Sequence, residues 1–148
     1  MSTPAMHVVI HARGRDVPDG PQQELARLSV ATLAPSPADL AQPFAVSFEE
    51  VAAALEQLPR LSLEPDGSFF WVGDDPRGTW QLDGLLFDRN EHLMTAELKG
   101  TCPAAALDRF LAALGWPQTP VMLQLVQASL YLDEAVFRRW AAHVGSLW

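Results

Sequence analysis

The sequence predicts an α+β fold, with a mixed, mostly antiparallel sheet flanked by helices in the order helix, four strands, helix, strand, helix. Three observations support this prediction. Short runs of alternating apolar and polar residues fill the middle of the chain, as in half-buried strands. Segments with apolar residues three and four positions apart lie on either side of these runs, as in amphipathic helices. The chain has 148 residues, 49% apolar and 19% charged, which suits one folded domain.

Residues 1–45 are predicted to form an irregular N-terminal arm, and residues 46–148 a single α+β domain. The arm holds six of the twelve prolines. Within it, residues 6–12 (MHVVIHA) have the character of a strand, and residues 21–33 that of a helix with Pro21 in its first turn. Such an arm could pair with a sheet edge or with another subunit, and the second arrangement would make the protein a homo-oligomer.

Three helices are predicted from the signals at their ends. Ser47 and Glu50 have the spacing of a capping box, and Pro59 stops the helix that they begin. Pro103, in a first turn, begins the second helix. Asp133 caps the third helix. The second helix places four large apolar residues on one face: Leu107, Phe110, Leu111 and Leu114.

Five strands are predicted in the same region, at residues 60–64, 68–72, 79–88, 92–101 and 121–126. If residues 89–91 form a three-residue hairpin loop, Asp83 lies opposite Glu97 and Gln81 lies opposite Lys99. That face is ionic at this end and apolar nearer the turn, at Leu85 and Phe87. The other face is wholly apolar. We expect the second helix to pack on it, against Leu82, Leu86, Met94 and Leu98.

An ionic cluster around Lys99 is the main chemical feature. Lys99 is the only lysine, and the other basic residues are all arginine. Alternate strand residues share a face, so Glu97 and Lys99 point the same way, and the register above adds Asp83. Directly opposed carboxylates repel, so Lys99, a bound metal ion or a proton has to offset them. The sequence predicts either a cation-binding, proton-handling cluster or a solvated ion pair.

The triplets LDG (82–84) and ELK (97–99) lie between two helices and before a further strand. Over about residues 47–127 this arrangement resembles the core of the PD-(D/E)xK (restriction-endonuclease-like) nuclease superfamily. The resemblance implies a metal-dependent phosphodiesterase with Asp83, Glu97 and Lys99 as catalytic residues. Asp83 and Glu97 would bind Mg²⁺, and Lys99 would position or activate the attacking water.

The resemblance also has departures. Leucine stands before Asp83, where the family has proline. The first helix of the family often supplies a further acid. Glu50 is used by the capping box, so Glu49 and Glu56 are the candidates for that role.

The charge of the chain favours a different function. The net charge is −8 and the pI is about 4.8, whereas proteins that bind phosphate backbones are usually basic. Nucleic acid is therefore disfavoured as a partner, and an acidic surface suits docking to a basic protein. The alternative function is a non-catalytic interaction protein, similar to an immunity protein or a secretion chaperone. A degenerate nuclease core that keeps the fold without activity belongs to the same class.

Other residue types add little chemistry. His7 and His11 would share a face of the first strand, and we expect a structural or solvent-facing role there rather than metal binding. Cys102 is the only cysteine, which excludes an internal disulfide, and we expect an unreactive thiol. The longest apolar stretches are too short to span a membrane, and no signal peptide is apparent. The expected location is the cytoplasm.

Overall fold

Within residues 5–148, nine strands form a single sheet, and the first of these strands lies near its centre. The computed structural model describes residues 5–148. Its elements are β1 (Met6–Ala12), β2 (Asp19–Leu25), β3 (Leu28–Leu33), α1 (Pro37–Leu40), α2 (Phe48–Glu56), β4 (Leu61–Leu63), β5 (Ser68–Asp75), β6 (Gly78–Arg89), β7 (His92–Thr101), α3 (Ala104–Ala113), β8 (Val121–Leu125), β9 (Leu130–Asp133) and α4 (Glu134–Val144). The strand order is β2-β3-β9-β8-β1-β7-β6-β5-β4, and neighbouring strands are antiparallel.

The predicted strand at residues 6–12 is confirmed as β1, but it does not belong to an irregular arm, and residues 1–4 lie outside the described part of the chain. β1 pairs with β7 on one side and with β8 on the other, so it belongs to the middle of the sheet. The predicted helix at residues 21–33 is the β2–β3 hairpin. Pro21 lies in an edge strand, where a missing N–H group is tolerated. Because β1 is paired on both sides, this strand cannot pair with another subunit, and the homo-oligomer stays a prediction.

The rest of the chain agrees with the predicted α+β class, but the element order differs. β4 to β8 lie where five strands were predicted. The prediction lacked β9, which lies between β8 and α4. β9 was missed because it has only four residues and runs directly into Asp133, the N-cap of α4.

The helix ends follow local chemistry. Ser47 Oγ accepts a hydrogen bond from the Glu50 N–H group at 3.0 Å, and the Ser47 N–H group donates to Glu50 Oε1 at 3.2 Å. This reciprocal pair confirms the predicted capping box. Asp133 Oδ1 accepts a hydrogen bond from the Val136 N–H group at 2.8 Å, which confirms the predicted cap of α4. Pro103 is the N-cap of α3 rather than its first helical residue.

The helices α2, α3 and α4 cover one face of the sheet, and the main core lies between these helices and the sheet. Val51 of α2 and Phe137 of α4 are fully buried there. Leu82, Leu86 and Leu98 belong to the same buried cluster as the four residues predicted for the second helix, which are Leu107, Phe110 and Leu111 of α3 and its C-cap Leu114. Met94 lies outside this cluster. No helix among residues 5–148 is long and apolar enough to cross a membrane.

The other face of the sheet is covered only in part. Leu33 and Met122 form a small buried cluster there with Val17 from the segment after β1. Leu40 of α1 and Tyr131 of β9 pack against this cluster. The helices do not cover the neighbouring surface of β1, β7, β6 and β5, which we call the open face.

Both edges of the sheet discourage pairing with another strand. β2 contains Pro21 and an irregularity in its register between Asp19 and Gln22. β4 has only three residues. Short or interrupted edge strands protect against the addition of further strands. The larger uncovered surface is therefore the open face rather than an edge.

Candidate functional site

Lys99 lies in β7, between two strands that each place a polar side chain beside it. It pairs with Asp83 of β6 and with His7 of β1. Glu97 lies two residues before Lys99 on the same face. We call these four side chains the polar row: His7, Glu97, Lys99 and Asp83. The Lys99 side chain is exposed, and within residues 5–148 it has no hydrogen bond or ion pair.

The predicted pairing of Asp83 with Glu97 is wrong, because Asp83 pairs with Lys99 and Glu97 pairs with Leu85. Asn90 and Glu91 adopt positive φ angles of 52° and 69°, so they form a two-residue turn. The ladder is also irregular after Phe87, where Met94 has no partner. The register moves by two residues, which leaves each of these side chains on its predicted face. Asp83 and Glu97 are therefore diagonal neighbours rather than opposed.

Glu97 has a partner that the sequence did not reveal. His7 Nε2 lies 3.2 Å from Glu97 Oε2, and both side chains are partly buried. The sequence pattern connected His7 only with His11. Pairing His7 with Glu97 requires knowing that β1 lies beside β7, and the two residues are 90 positions apart. No local signal reports such a contact.

Asp83 also has its own partner. Gln81 Nε2 donates a hydrogen bond to Asp83 Oδ1 at 2.8 Å. Gln81 lies two residues before Asp83 on the same face of β6. Each carboxylate of the polar row is therefore bonded to a neighbouring side chain other than Lys99, and the ammonium group points into solvent.

The polar row does not form a ready metal site. Within residues 5–148, no three His, Cys, Asp or Glu side chains are close enough to hold a metal ion. Glu49 and Glu56 belong to α2, which packs on the opposite face of the sheet, so they cannot join Asp83 and Glu97. A magnesium ion would have two carboxylate ligands at most, and it would compete with His7 for one of them.

His11 lies apart from the polar row, in the covered part of the same face. It is 8% exposed, and its ring meets the Tyr131 ring edge-on at 5.7 Å. His11 Nε2 is 3.1 Å from Gln124 Oε1, and Nδ1 is buried with no hydrogen-bond partner among residues 5–148. Burial lowers the pKa of His11, and the bond to Gln124 opposes that shift. This environment suits a structural residue, as expected.

Cys102 is fully buried next to the C-terminal segment, where its backbone forms an isolated β-bridge with that of Leu147. Burial raises the pKa of its thiol to about 12. The group is therefore protonated at neutral pH and unavailable as a nucleophile.

Three large apolar side chains lie exposed beside the polar row. Phe70 is 48% exposed, Leu85 43% and Phe87 50%. The register places Phe70 opposite Asp83 and diagonal to Leu85, and Phe87 follows Leu85 on the same face of β6. Side chains at such positions are within reach of one another. We call this group the apolar patch: Phe70, Leu85 and Phe87.

Comparison with known proteins gives no match to a protein-family model, to a curated protein or to a solved structure.

Proposed function

We propose that the protein is a non-catalytic interaction domain that holds a basic partner protein on the open face of its sheet. The observation that carries the proposal is the apolar patch. Its members lie on neighbouring strands, and each is about half exposed. The helices α2, α3 and α4 all pack on the opposite face of the sheet, so none of them covers the patch.

The cost of exposing the apolar patch supports a binding role. Fully burying a large apolar side chain is worth about 1.5–3 kcal/mol, so covering the exposed half of one member of the patch contributes about half of that. Aromatic residues are enriched in the cores of protein interfaces, and two of the three members are phenylalanine. Exposed apolar residues grouped on one surface and bordered by polar groups are typical of an interaction site.

Charge indicates the kind of partner. The chain carries a net charge of −8, so long-range attraction favours a basic protein and disfavours a phosphate backbone. Asp83 lies opposite Phe70, directly beside the apolar patch. We expect the partner to contribute an apolar anchor to the patch and basic residues to the surroundings. Its binding should weaken with increasing salt.

The nuclease hypothesis remains a prediction with less support from the geometry. It needs Asp83 and Glu97 to share a magnesium ion in an accessible cleft. The two carboxylates are diagonal neighbours on an open sheet face, and each already has a side-chain partner. The interaction domain requires no rearrangement of these groups.

Site-specific photo-crosslinking tests the proposal. p-Benzoylphenylalanine is placed at position 87 in the apolar patch and, as a control, at position 23 in edge strand β2. A protein captured only from position 87 is then purified and titrated against the wild type, Phe87→Ser and Gln23→Ser. We expect Phe87→Ser to weaken binding at least about tenfold and Gln23→Ser to have no effect. Equal capture from both positions, or binding unaffected by Phe87→Ser, would contradict the proposal.

A further inference from the structure

A second feature lies at the end of the sheet where β1 ends and β8 begins. Arg13 and Arg15 follow β1, while Thr119 and Pro120 precede β8, so antiparallel pairing brings the two segments together. Together with Gln42 and Gln118 they line an open cavity of about 760 Å³. Cavities that hold small molecules usually measure about 300–1,000 Å³, so this one has room for a small organic ligand.

The lining is unusual for an acidic chain because its charged side chains are both cationic. Two guanidinium groups, two carboxamides and one hydroxyl face the cavity, and no carboxylate is among the lining residues. A guanidinium group presents several N–H donors in a planar fork that matches a carboxylate or phosphate. The chemistry of the lining therefore fits an anion with several oxygen acceptors.

The two guanidinium groups also retain most of their bonding capacity. Arg13 forms a loose ion pair with Asp133, in which Nη1 lies 3.9 Å from Oδ2, too far for a hydrogen bond. Among residues 5–148, the Arg15 side chain has neither an ion pair nor a hydrogen bond. Two other arginines are more firmly engaged: Arg60 lies 2.7 Å from Asp74, and Arg138 lies 2.7 Å from Asp108.

The main chain holds the cavity walls in place. The Arg13 N–H group donates to the Pro120 carbonyl oxygen at 2.8 Å, and the Thr119 N–H group donates to the Gly115 carbonyl oxygen at 2.9 Å. The Arg13 side chain is only 31% exposed, which restricts its movement. A ligand would therefore meet partly ordered donors, which reduces the entropy lost on binding.

We propose that this cavity binds a small organic oxyanion, with the charged oxygens at Arg13, Arg15 and the Thr119 hydroxyl group and the organic part above Pro120. Phosphate monoesters and dicarboxylates share the required chemistry. The site is independent of the open face, so it does not rest on the proposed interaction function.

Isothermal titration calorimetry of the full chain tests this proposal with phenyl phosphate, succinate and inorganic phosphate at constant ionic strength. We expect saturable binding of phenyl phosphate or succinate, and the stronger ligand identifies the class of oxyanion. Arg15→Gln should weaken it about tenfold or more, because it removes charge-assisted hydrogen bonds. Arg27→Gln, which removes an exposed arginine from the β2–β3 turn, is the matched control and should bind as the wild type does.

Thr119→Val provides a second variant that keeps the charge, and it should also weaken binding. Amide NMR shifts caused by the ligand should be confined to the segments around Arg13 and Thr119. Absence of saturable binding to all three probes would overturn the proposal, as would equal losses in Arg15→Gln and Arg27→Gln. Equal affinity for inorganic phosphate and phenyl phosphate would contradict an organic ligand.

Discussion

Gly84 lies directly across from Phe69 on the helix-covered face of the sheet, and the Phe69 ring fills the space that a side chain at position 84 would need. A Cβ atom on Gly84 would lie 2.2 Å from Phe69 Cζ and 2.7 Å from the Glu97 carbonyl oxygen. The Phe69 ring is itself stacked on Phe110 of α3 at 5.6 Å. The absence of a side chain at position 84 thus leaves room for the Phe69 ring of β5 to lie over β6 and pack in the core.

Gly84→Ala is expected to reduce the free energy of unfolding by about 1–3 kcal/mol, because the added methyl group forces the ring or the β7 backbone to move. Gly14→Ala is the matched control, since a Cβ atom there meets nothing within 4 Å. Urea denaturation of both variants measures the difference. A Gly84→Ala protein as stable as Gly14→Ala would show that the ring moves aside at no cost.

Leu111→Ala and Leu85→Ala make the same chemical change on opposite faces of the molecule. Leu111 is fully buried in α3, so its truncation should cost about 2–5 kcal/mol through lost burial and cavity formation. Leu85 is 43% exposed in the apolar patch, so its truncation should cost less than about 1 kcal/mol. Denaturant melts of the two variants test the assignment of faces. Similar losses of stability in the two variants would mean that Leu85 is buried in the folded chain, so that the apolar patch is not exposed.

His11 is expected to make stability fall in mild acid. Burial lowers the pKa of His11 in the folded chain, whereas the unfolded chain takes up the proton near the ordinary pKa of 6.5. The contribution of His11 is therefore complete above about pH 6.5, and it is lost as the pH falls from there through the lowered folded pKa. Wild type should lose more stability than His11→Leu between neutral pH and pH ~5.5.

Chemical denaturation at the two pH values measures this loss. His92→Gln serves as the control for replacing a histidine, because His92 is exposed. Identical profiles for wild type and His11→Leu would show that protonation of His11 is not linked to unfolding.

Cys102 is expected to resist thiol reagents in the folded chain. It is fully buried, so a reagent cannot reach the sulfur atom. Burial also raises the pKa of its thiol to about 12, so almost no thiolate is present at pH ~8. Labelling should be slow in buffer and complete in urea. Because the folded pKa is raised, the contribution of Cys102 to stability should decline as the pH rises from about 9 towards 12. Rapid stoichiometric labelling of the folded protein would contradict this burial.

Mn²⁺ titration of the wild type, Lys99→Met and Asp83→Ala separates the interaction domain from the nuclease hypothesis. Lys99 is exposed and has no ion pair among residues 5–148, so the variant should stay folded, with stability within about 0.5 kcal/mol of the wild type. Calorimetric Mn²⁺ titration should show no specific binding to wild type or to Lys99→Met if the protein is an interaction domain. Saturable Mn²⁺ binding to the wild type that is lost in Asp83→Ala would instead favour the nuclease.

Elements with local signals could be predicted from the sequence. The capping box at Ser47 and the cap at Asp133 involve residues three positions apart, and both appear as expected. Alternation of apolar residues placed Asp83, Glu97 and Lys99 on one face. Their pairing depended on the turn at Asn90 and on the unpaired Met94, and alternation alone does not reveal such irregularities.

Features that depend on distant parts of the chain could not be predicted. The β2–β3 turn uses Ala26 and Arg27 at φ angles of 50° and 68°, although neither residue type favours this conformation. Tertiary pairing imposes it. The contact between His7 and Glu97 depends in the same way on the place of β1 beside β7.

The central position of β1 also constrains the order in which the protein can be built. β1 leaves the ribosome before either of its neighbours exists: the Glu97 partner of His7 follows 90 residues later, and the Gln124 partner of His11 follows 113 residues later. The apolar side chains of β1 must therefore remain unburied until most of the chain has been made. Such late, long-range closure slows folding and leaves β1 as the segment that a chaperone would need to shield during translation.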